Sequence, residues 1–121
     1  MQKKVSPVNG WTYAKYKGFI ISILRGGFRR YPPKQKCIEN AFVKTIINKK
    51  TKRKAKHYKC NICSKLFPRT EVEADHISPI IDPTKGFIDF NTWIERGFIH
   101  EEGFQCLCKE CHAIKTKKER K

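Results

Sequence analysis

The sequence predicts an α+β chain: a basic α-helical N-terminal arm, then a small unit of two strands and a helix closed by a metal staple. Three observations predict it. Apolar residues recur at helical spacing between residues 11 and 47. Two C-x-x-C knuckles, Cys60-Asn-Ile-Cys63 and Cys108-Lys-Glu-Cys111, stand far apart in the chain. Between them residues 71–77 alternate polar and apolar as a short strand does, and residues 111–119 read as a helix.

Taken in order, residues 1–10 read as a tether. Tyr13, Tyr16, Ile20, Ile23 and Leu24 place a helix over residues 11–30, which Gly26-Gly27 loosens and Pro32-Pro33 stops. A second helix is expected over residues 34–47, with Ile38, Ala41, Phe42, Thr45 and Ile46 on one side, and residues 48–56 read as a basic connector. The character changes near Tyr58, so the expected units are a basic arm and connector over residues 1–57 and a knuckle-bearing domain over residues 58–121. Around the first knuckle the pattern is strand, knuckle, strand. Ser78-Pro79 ends the strand of residues 71–77, and Asp82-Pro-Thr-Lys-Gly86 is turn chemistry. Phe90, Trp93, Ile94 and Phe98 suggest a short helix or an ordered loop, and residues 101–103 a turn. Residues 104–108 then enter the second knuckle, which completes a ββα order.

The 121 residues carry a formal charge of +16. Residues 1–57 hold sixteen Lys/Arg against one acid, Glu39, and so account for +15 of it. Such a half is a footprint for a polyanion, and nucleic acid is the simplest one because phosphate contacts release counterions. The plainer reading of a basic run is a solvated tail. Arg25, Arg29, Arg30, Lys34, Lys52, Arg53 and Lys54 are the candidate phosphate contacts. Trp11, Tyr13, Phe28 and Tyr31 among them suit sugar or base edges, or simple packing. No stretch reaches the length of a membrane span, and the start has no apolar signal-like core. With C-x-x-C spacing this suggests reduced thiols and a cytoplasmic setting.

Cys60, Cys63, Cys108 and Cys111 form a complete set of thiolate ligands for a tetrahedral zinc ion. Four thiolates leave no open coordination position, so this ion would be structural. A pair of redox dithiols is the other reading of the knuckles. Cys37 and Cys106 are left over as small core residues. Asp75-His76 and His112 are not needed for that ion. A carboxylate and an imidazole can hold a second divalent ion, and a nearby imidazole can take a proton from water. Adjacent strand residues face opposite ways, so Asp75 and His76 can serve one site only where the strand is ending. A buried, carbonyl-bonded His76 is the structural alternative.

Cys60-x-x-Cys63, Glu73-Ala-Asp75-His76-Ile-x-Pro79 and Gln105-Cys-Leu-Cys108-x-x-Cys111-His112-x-x-Lys115-Thr116 together resemble the HNH endonuclease family, in its zinc-stapled branch common in phages and mobile elements. The likeness covers about residues 58–117, and residues 23–34 also look like the N-terminal arm of phage members. The resemblance implies a ββα-metal (His-Me finger) fold and metal-dependent hydrolysis of DNA phosphodiester bonds, by nicking or by double-strand cleavage. His76 matches the general base, and Asp75 and His112 match the ligands of a catalytic Mg²⁺, Mn²⁺ or similar ion. Double-stranded DNA is then the substrate. Because related phage proteins accompany the DNA-packaging terminase, a packaging partner in a host cytoplasm is implied as well. Lys115 matches a family position and reads as a phosphate contact or as part of a solvated helix face. One departure stands out. The family's middle Asn, which orients the base, falls near Gly103 here, and Asn91 is the nearest candidate. Asn91 could equally cap a helix beginning at Thr92; a backbone carbonyl would then hold His76. The rival reading is a non-catalytic zinc-ribbon binder of DNA or RNA, which leaves Asp75, His76 and His112 without a purpose.

Overall fold

A computed structural model describes residues 4–119. These divide into two units, one ending at Tyr31 and one beginning at Pro32. The first unit is mainly helix α1 (Tyr13–Gly27), followed by a short 3-10 turn, Phe28–Arg30. Thr12 caps α1 by accepting a hydrogen bond from the Lys15 amide at 3.2 Å. The helix ends at Gly27, where the paired glycines predict, and Pro32 opens the next one.

Helix α2 (Pro32–Asn40) begins the second unit with proline at its first position, where the missing N–H costs nothing. It stops at Asn40, not at residue 47 as the periodicity suggests. Residues 42–47 instead form strand β1 (Phe42–Ile47), which pairs antiparallel with β2 (Lys54–Lys59). The reason lies in the residues. Val43, Thr45, Ile46 and Ile47 are β-branched, lose side-chain freedom in a helix and suit a pleated strand. A complementary strand is also within reach. The supposed connector is therefore half turn and half strand. Asn48 organises the turn by accepting from the Lys50 amide at 2.9 Å through its side chain and from the Lys52 amide at 2.7 Å through its carbonyl. Lys52 takes a left-handed backbone, φ 60°. The boundary expected at residue 57 thus falls inside β2, and residues 32–57, assigned to the arm on sequence grounds, fold with the knuckles.

β2 also pairs with β3 (Leu66–Pro68), which makes a three-stranded sheet in the order β1-β2-β3. A second, two-stranded sheet joins β4 (Val72–His76) to β5 (Phe104–Cys108) antiparallel, with Asp75 opposite Gln105 and His76 opposite Phe104. Residues 77–103 form a long excursion between these strands and carry α3 (Phe90–Gly97). Asp89 caps α3 by accepting from the Thr92 amide at 2.7 Å, so the cap is Asp89 and not Asn91. Helix α4 (Lys109–Glu119) follows β5 directly. The described residues are thus a mixed α+β arrangement of four α-helices and two small sheets. No helix among them is long and apolar enough to cross a membrane.

Among the described residues two buried clusters join the sheets, and Trp93 and Phe104 are buried apart from them. Ile38 of α2 packs on Val72 of β4 and Cys106 of β5, with Tyr58 and Phe67 at their margin. Leu107 packs between Cys60 and Cys108, again beside Phe67. Phe67 joins both clusters, which links the three-stranded sheet to the β4–β5 pair. Cys37 and Cys106 are buried, and burial raises both thiols, Cys106 to about 11, as suits small core residues. Leu107 has no exposed surface. Leu107→Ala is expected to cost about 2–5 kcal/mol, read as a lower urea midpoint. Ile47→Ala, on the open edge strand, should stay within about 0.5 kcal/mol of the parent. Equal effects would contradict this core.

Candidate functional site

The two knuckles meet. The Sγ atoms of Cys60, Cys63, Cys108 and Cys111 all lie within 4.8 Å of one another, with Cys63 and Cys108 at 4.0 Å. Sulfurs bonded to one tetrahedral zinc at about 2.3 Å sit about 3.8 Å apart, so the donor set fits such an ion. The local backbone explains the geometry. The Ser64 amide donates to the Cys60 carbonyl at 3.0 Å and the Cys60 amide to the Lys65 carbonyl at 3.0 Å, which folds the first knuckle into a tight loop. Ser64 closes it with a left-handed backbone, φ 63°. The Asn61 amide donates to the Cys106 carbonyl at 2.8 Å and docks that loop on β5. The second knuckle spans the β5–α4 junction, where the Cys111 amide donates to Cys108 Sγ at 3.4 Å.

The thiols titrate far apart. Burial opposes ionisation of Cys60, but backbone groups of Cys108, Cys63 and Ile62 outweigh it and draw the thiol down to about 6. Its hydrogen bond with Cys108, then burial, push Cys111 up to about 12. One negative charge is welcome in this cluster and a fourth is not. A cation removes that conflict, because thiolates are the ligating form. The cluster could therefore hold a metal such as zinc, and an all-sulfur set disfavours hard ions.

A second cluster lies where β4 ends. Asp75 and His76 are the last two residues of the strand, which is the irregular position the sequence requires of them. His112, the residue after Cys111, sits in the first turns of α4. Its Nε2 lies 3.3 Å from Asp75 Oδ1. Two ligands of one octahedral ion at about 2.1 Å are about 3 Å apart, so this pair could share a divalent cation. On the other side of the ring, His112 Nδ1 lies 2.8 Å from Glu73 Oε2. That contact favours the proton on Nδ1 and leaves the Nε2 lone pair facing Asp75, the usual second-partner arrangement of a ligating histidine.

His76 is half-buried against the Phe104 ring, with centroids 4.6 Å apart. Its Nε2 donates to the Gly97 carbonyl at 2.7 Å. A carbonyl can only accept, so Nε2 carries the proton and Nδ1 is the basic nitrogen. Burial lowers the His76 pKa against the pull of the Gly97 carbonyl, which favours the neutral imidazole. Arg96 reinforces the same junction by donating to the Pro79 carbonyl from Nε at 3.2 Å. The end of β4 is thus bolted to the end of α3.

Asn91 lies exposed in the first turn of α3, while the group that holds His76 is at the opposite end of that helix. At Gly103, near which the family's Asn would fall, an added Cβ would meet Ile99 Cδ1, so the tip of that side chain would have to move aside. Lys115 also differs from expectation. Its side chain is only 17% exposed and is turned inward, with Nζ 2.9 Å from Asp75 Oδ2 and 3.0 Å from the His76 carbonyl, and in contact with Glu119. It anchors the Asp75-His76 corner and presents no open cation on the helix face. Gln105, directly opposite Asp75, donates to the same Oδ2 at 3.4 Å. Lys34 in α2 is half-buried. Burial lowers its pKa, and Glu73 and Asp75 pull it back up, so it belongs electrostatically to this cluster. Arg25, Arg29 and Arg30 are exposed in the first unit, and Lys52, Arg53 and Lys54 are exposed on the β1–β2 hairpin.

Glu73 and Gln105 stand in the matching motifs without an assigned role, and the Gly97 carbonyl is not singled out by the sequence at all. Glu73 had a signal, being two residues before Asp75 on the same strand face. The carbonyl had none, since any residue supplies one.

The sulfur cluster makes a direct prediction. Zinc should bind the chain in a one-to-one ratio, and a chelator should lower its melting temperature. Cys60→Ser should lose both the metal and most of the stability, since binding here is largely folding energy. An unchanged melting temperature would contradict the staple.

No protein-family model, no curated protein and no solved structure matches this chain.

Proposed function

We propose that this chain is a metal-dependent endonuclease of HNH type that hydrolyses DNA phosphodiester bonds, built on a ββα-metal module with a structural zinc. The observation that carries this reading is the 3.3 Å approach of His112 Nε2 to Asp75 Oδ1, directly beside His76 at the end of β4. Hydrolysis of a phosphodiester needs a nucleophile made near neutral pH and positive charge against the phosphate as the 3′ oxygen departs. Asp75 Oδ1 and His112 Nε2 would hold the divalent ion, Mg²⁺ or Mn²⁺, which supplies that charge when bound.

The chain's own residues do the rest. His76, kept neutral by burial and held by the Gly97 carbonyl, takes a proton from water at Nδ1. The carbonyl stabilises the imidazolium that results, the task the family gives to its middle Asn. Glu73 orients His112, and Lys115 with Gln105 holds Oδ2 of Asp75 so that Oδ1 faces His112. The basic surfaces would bring duplex DNA to this corner.

One observation favours a second reading, a non-catalytic zinc-stapled nucleic-acid binder. Asp75 is already paired with Lys115, and a doubly protonated His112 would bridge it to Glu73 without any metal ion. Plasmid nicking separates the two. With Mg²⁺ or Mn²⁺ the parent chain should relax supercoiled plasmid, and His76→Ala should cut at least about a hundredfold more slowly, the usual weight of a general base. Cleavage that never occurs with any divalent ion, or that survives His76→Ala, establishes the binder. His112→Ala should weaken the Mn²⁺ affinity of the zinc-loaded protein and leave zinc in place. Loss of zinc instead would mean that His112 belongs to the sulfur site.

A further inference from the structure

We propose that the basic depression at the hairpin end of the three-stranded sheet, not the N-terminal helix, is the main seat of the DNA backbone. This rests on the nucleic-acid reading above but not on catalysis. The strand register defines the face. Thr45 pairs with Lys56 and Ile47 with Lys54, so Lys54 and Lys56 project to one side, beyond Tyr58, which meets the margin of the core on that same side. Ala55 and His57 take the other side, and His57 is buried there. Strand β1 contributes almost nothing to the core; five of its six residues are exposed.

The face is concave. Lys54, Lys56 and Tyr58 join Arg53 from the hairpin turn and Arg69 from the turn after β3 around a depression of about 700 Å³. Among the described residues its lining includes four cations and no carboxylate. The nearest acid, Glu71, is paired with Lys50 at 2.7 Å. Polar Asn48, Thr51 and Thr70 complete the wall with hydrogen-bonding groups suited to phosphate oxygens. Phe42 packs edge-on to Tyr58, with the Lys56 ammonium 5.7 Å from the Phe42 ring. A cationic groove of this kind follows a sugar-phosphate backbone, whereas an apolar protein partner would leave four charges to be desolvated.

The topology links this face to the corner at the end of β4. Arg69 precedes Asp75 by six residues. The chain between them spans at most about 20 Å, or about six base steps of duplex, so one DNA segment can lie against both. Two strands of a ribbon also fit a major groove, which gives the exposed hairpin a docking geometry of its own.

The test is binding of a short labelled DNA duplex to the full, zinc-loaded chain without other divalent ions, titrated across salt. Lys54→Glu with Lys56→Glu should raise Kd at least about tenfold and flatten the log–log salt slope by about two, one per lost phosphate contact. Arg29→Glu with Arg30→Glu should do less. Both lysines are exposed, and circular dichroism checks that the fold is kept; if it is not, Arg53→Gln with Lys54→Gln reads the same face more gently. Affinity within about twofold of the parent and an unchanged slope would overturn the proposal, as would a greater loss from the Arg29/Arg30 pair or lost binding confined to anionic vesicles. The two readings fail separately. A parent chain that binds duplex through this face but never cuts keeps the docking surface and ends the nuclease. A chain that cuts, and binds equally well with both lysines reversed, does the opposite.

Discussion

The cluster of Cys60, Cys63, Cys108 and Cys111 governs the rest of the second unit. It ties a loop between β2 and β3 to the junction between β5 and α4, elements nearly fifty residues apart in the chain. The buried clusters on either side are small, and neither holds a core large enough to stabilise so short a chain comfortably. A metal held by the four sulfurs would supply a long-range restraint beyond apolar burial. Its effect is positional as well as energetic. Because α4 begins inside the knuckle, holding Cys108 and Cys111 sets the direction of the helix, and His112 and Lys115 go where that helix goes.

The site at the end of β4 depends on this in a specific way. Asp75 is approached from two sides by one helix, His112 at Oδ1 and Lys115 at Oδ2, and from across the hairpin by Gln105. A shift of α4 by one turn would remove both helical contacts at once. The long excursion between β4 and β5 does a separate job. It brings the Gly97 carbonyl to His76 and the Arg96 guanidinium to Pro79. The carboxylate-imidazole pair is thus set by the sulfur frame, and the second imidazole by α3. Two independent supports thus converge on two adjacent residues.

The charge of the chain takes on a different meaning in the fold. The basic stretch of residues 44–56 is not a loose connector. It is the outer hairpin of a sheet that meets the core through Tyr58 and Phe67 and leaves most of β1 exposed. Ordering these cations on strands fixes their spacing, which a solvated tail cannot do. It also places these cations in the same unit as the candidate site. The arginines near the end of α1 belong to the other unit.

By itself the sequence determined the parts whose signal is local. The C-x-x-C spacing marked all four sulfurs, Gly27 and Pro32 marked the end of α1, and Ser78-Pro79 marked the end of β4 beside Asp75-His76. Asp75 and His112 were legible as a pair because charged groups with no structural purpose are rare beside a complete sulfur set. What depended on partners was not legible. Residues 42–47 carry a helical apolar spacing and a β-branched composition, and only the presence of β2 alongside settled them as a strand. Lys115 looked like a surface cation until the packing of α4 turned it onto Asp75. The Asn91 expectation met a carbonyl at Gly97 instead, and backbone groups leave no trace in side-chain identity. Tertiary structure decided each of these because strand pairing, helix orientation and carbonyl placement are set by contacts between distant segments, which a reading of neighbours along the chain does not contain.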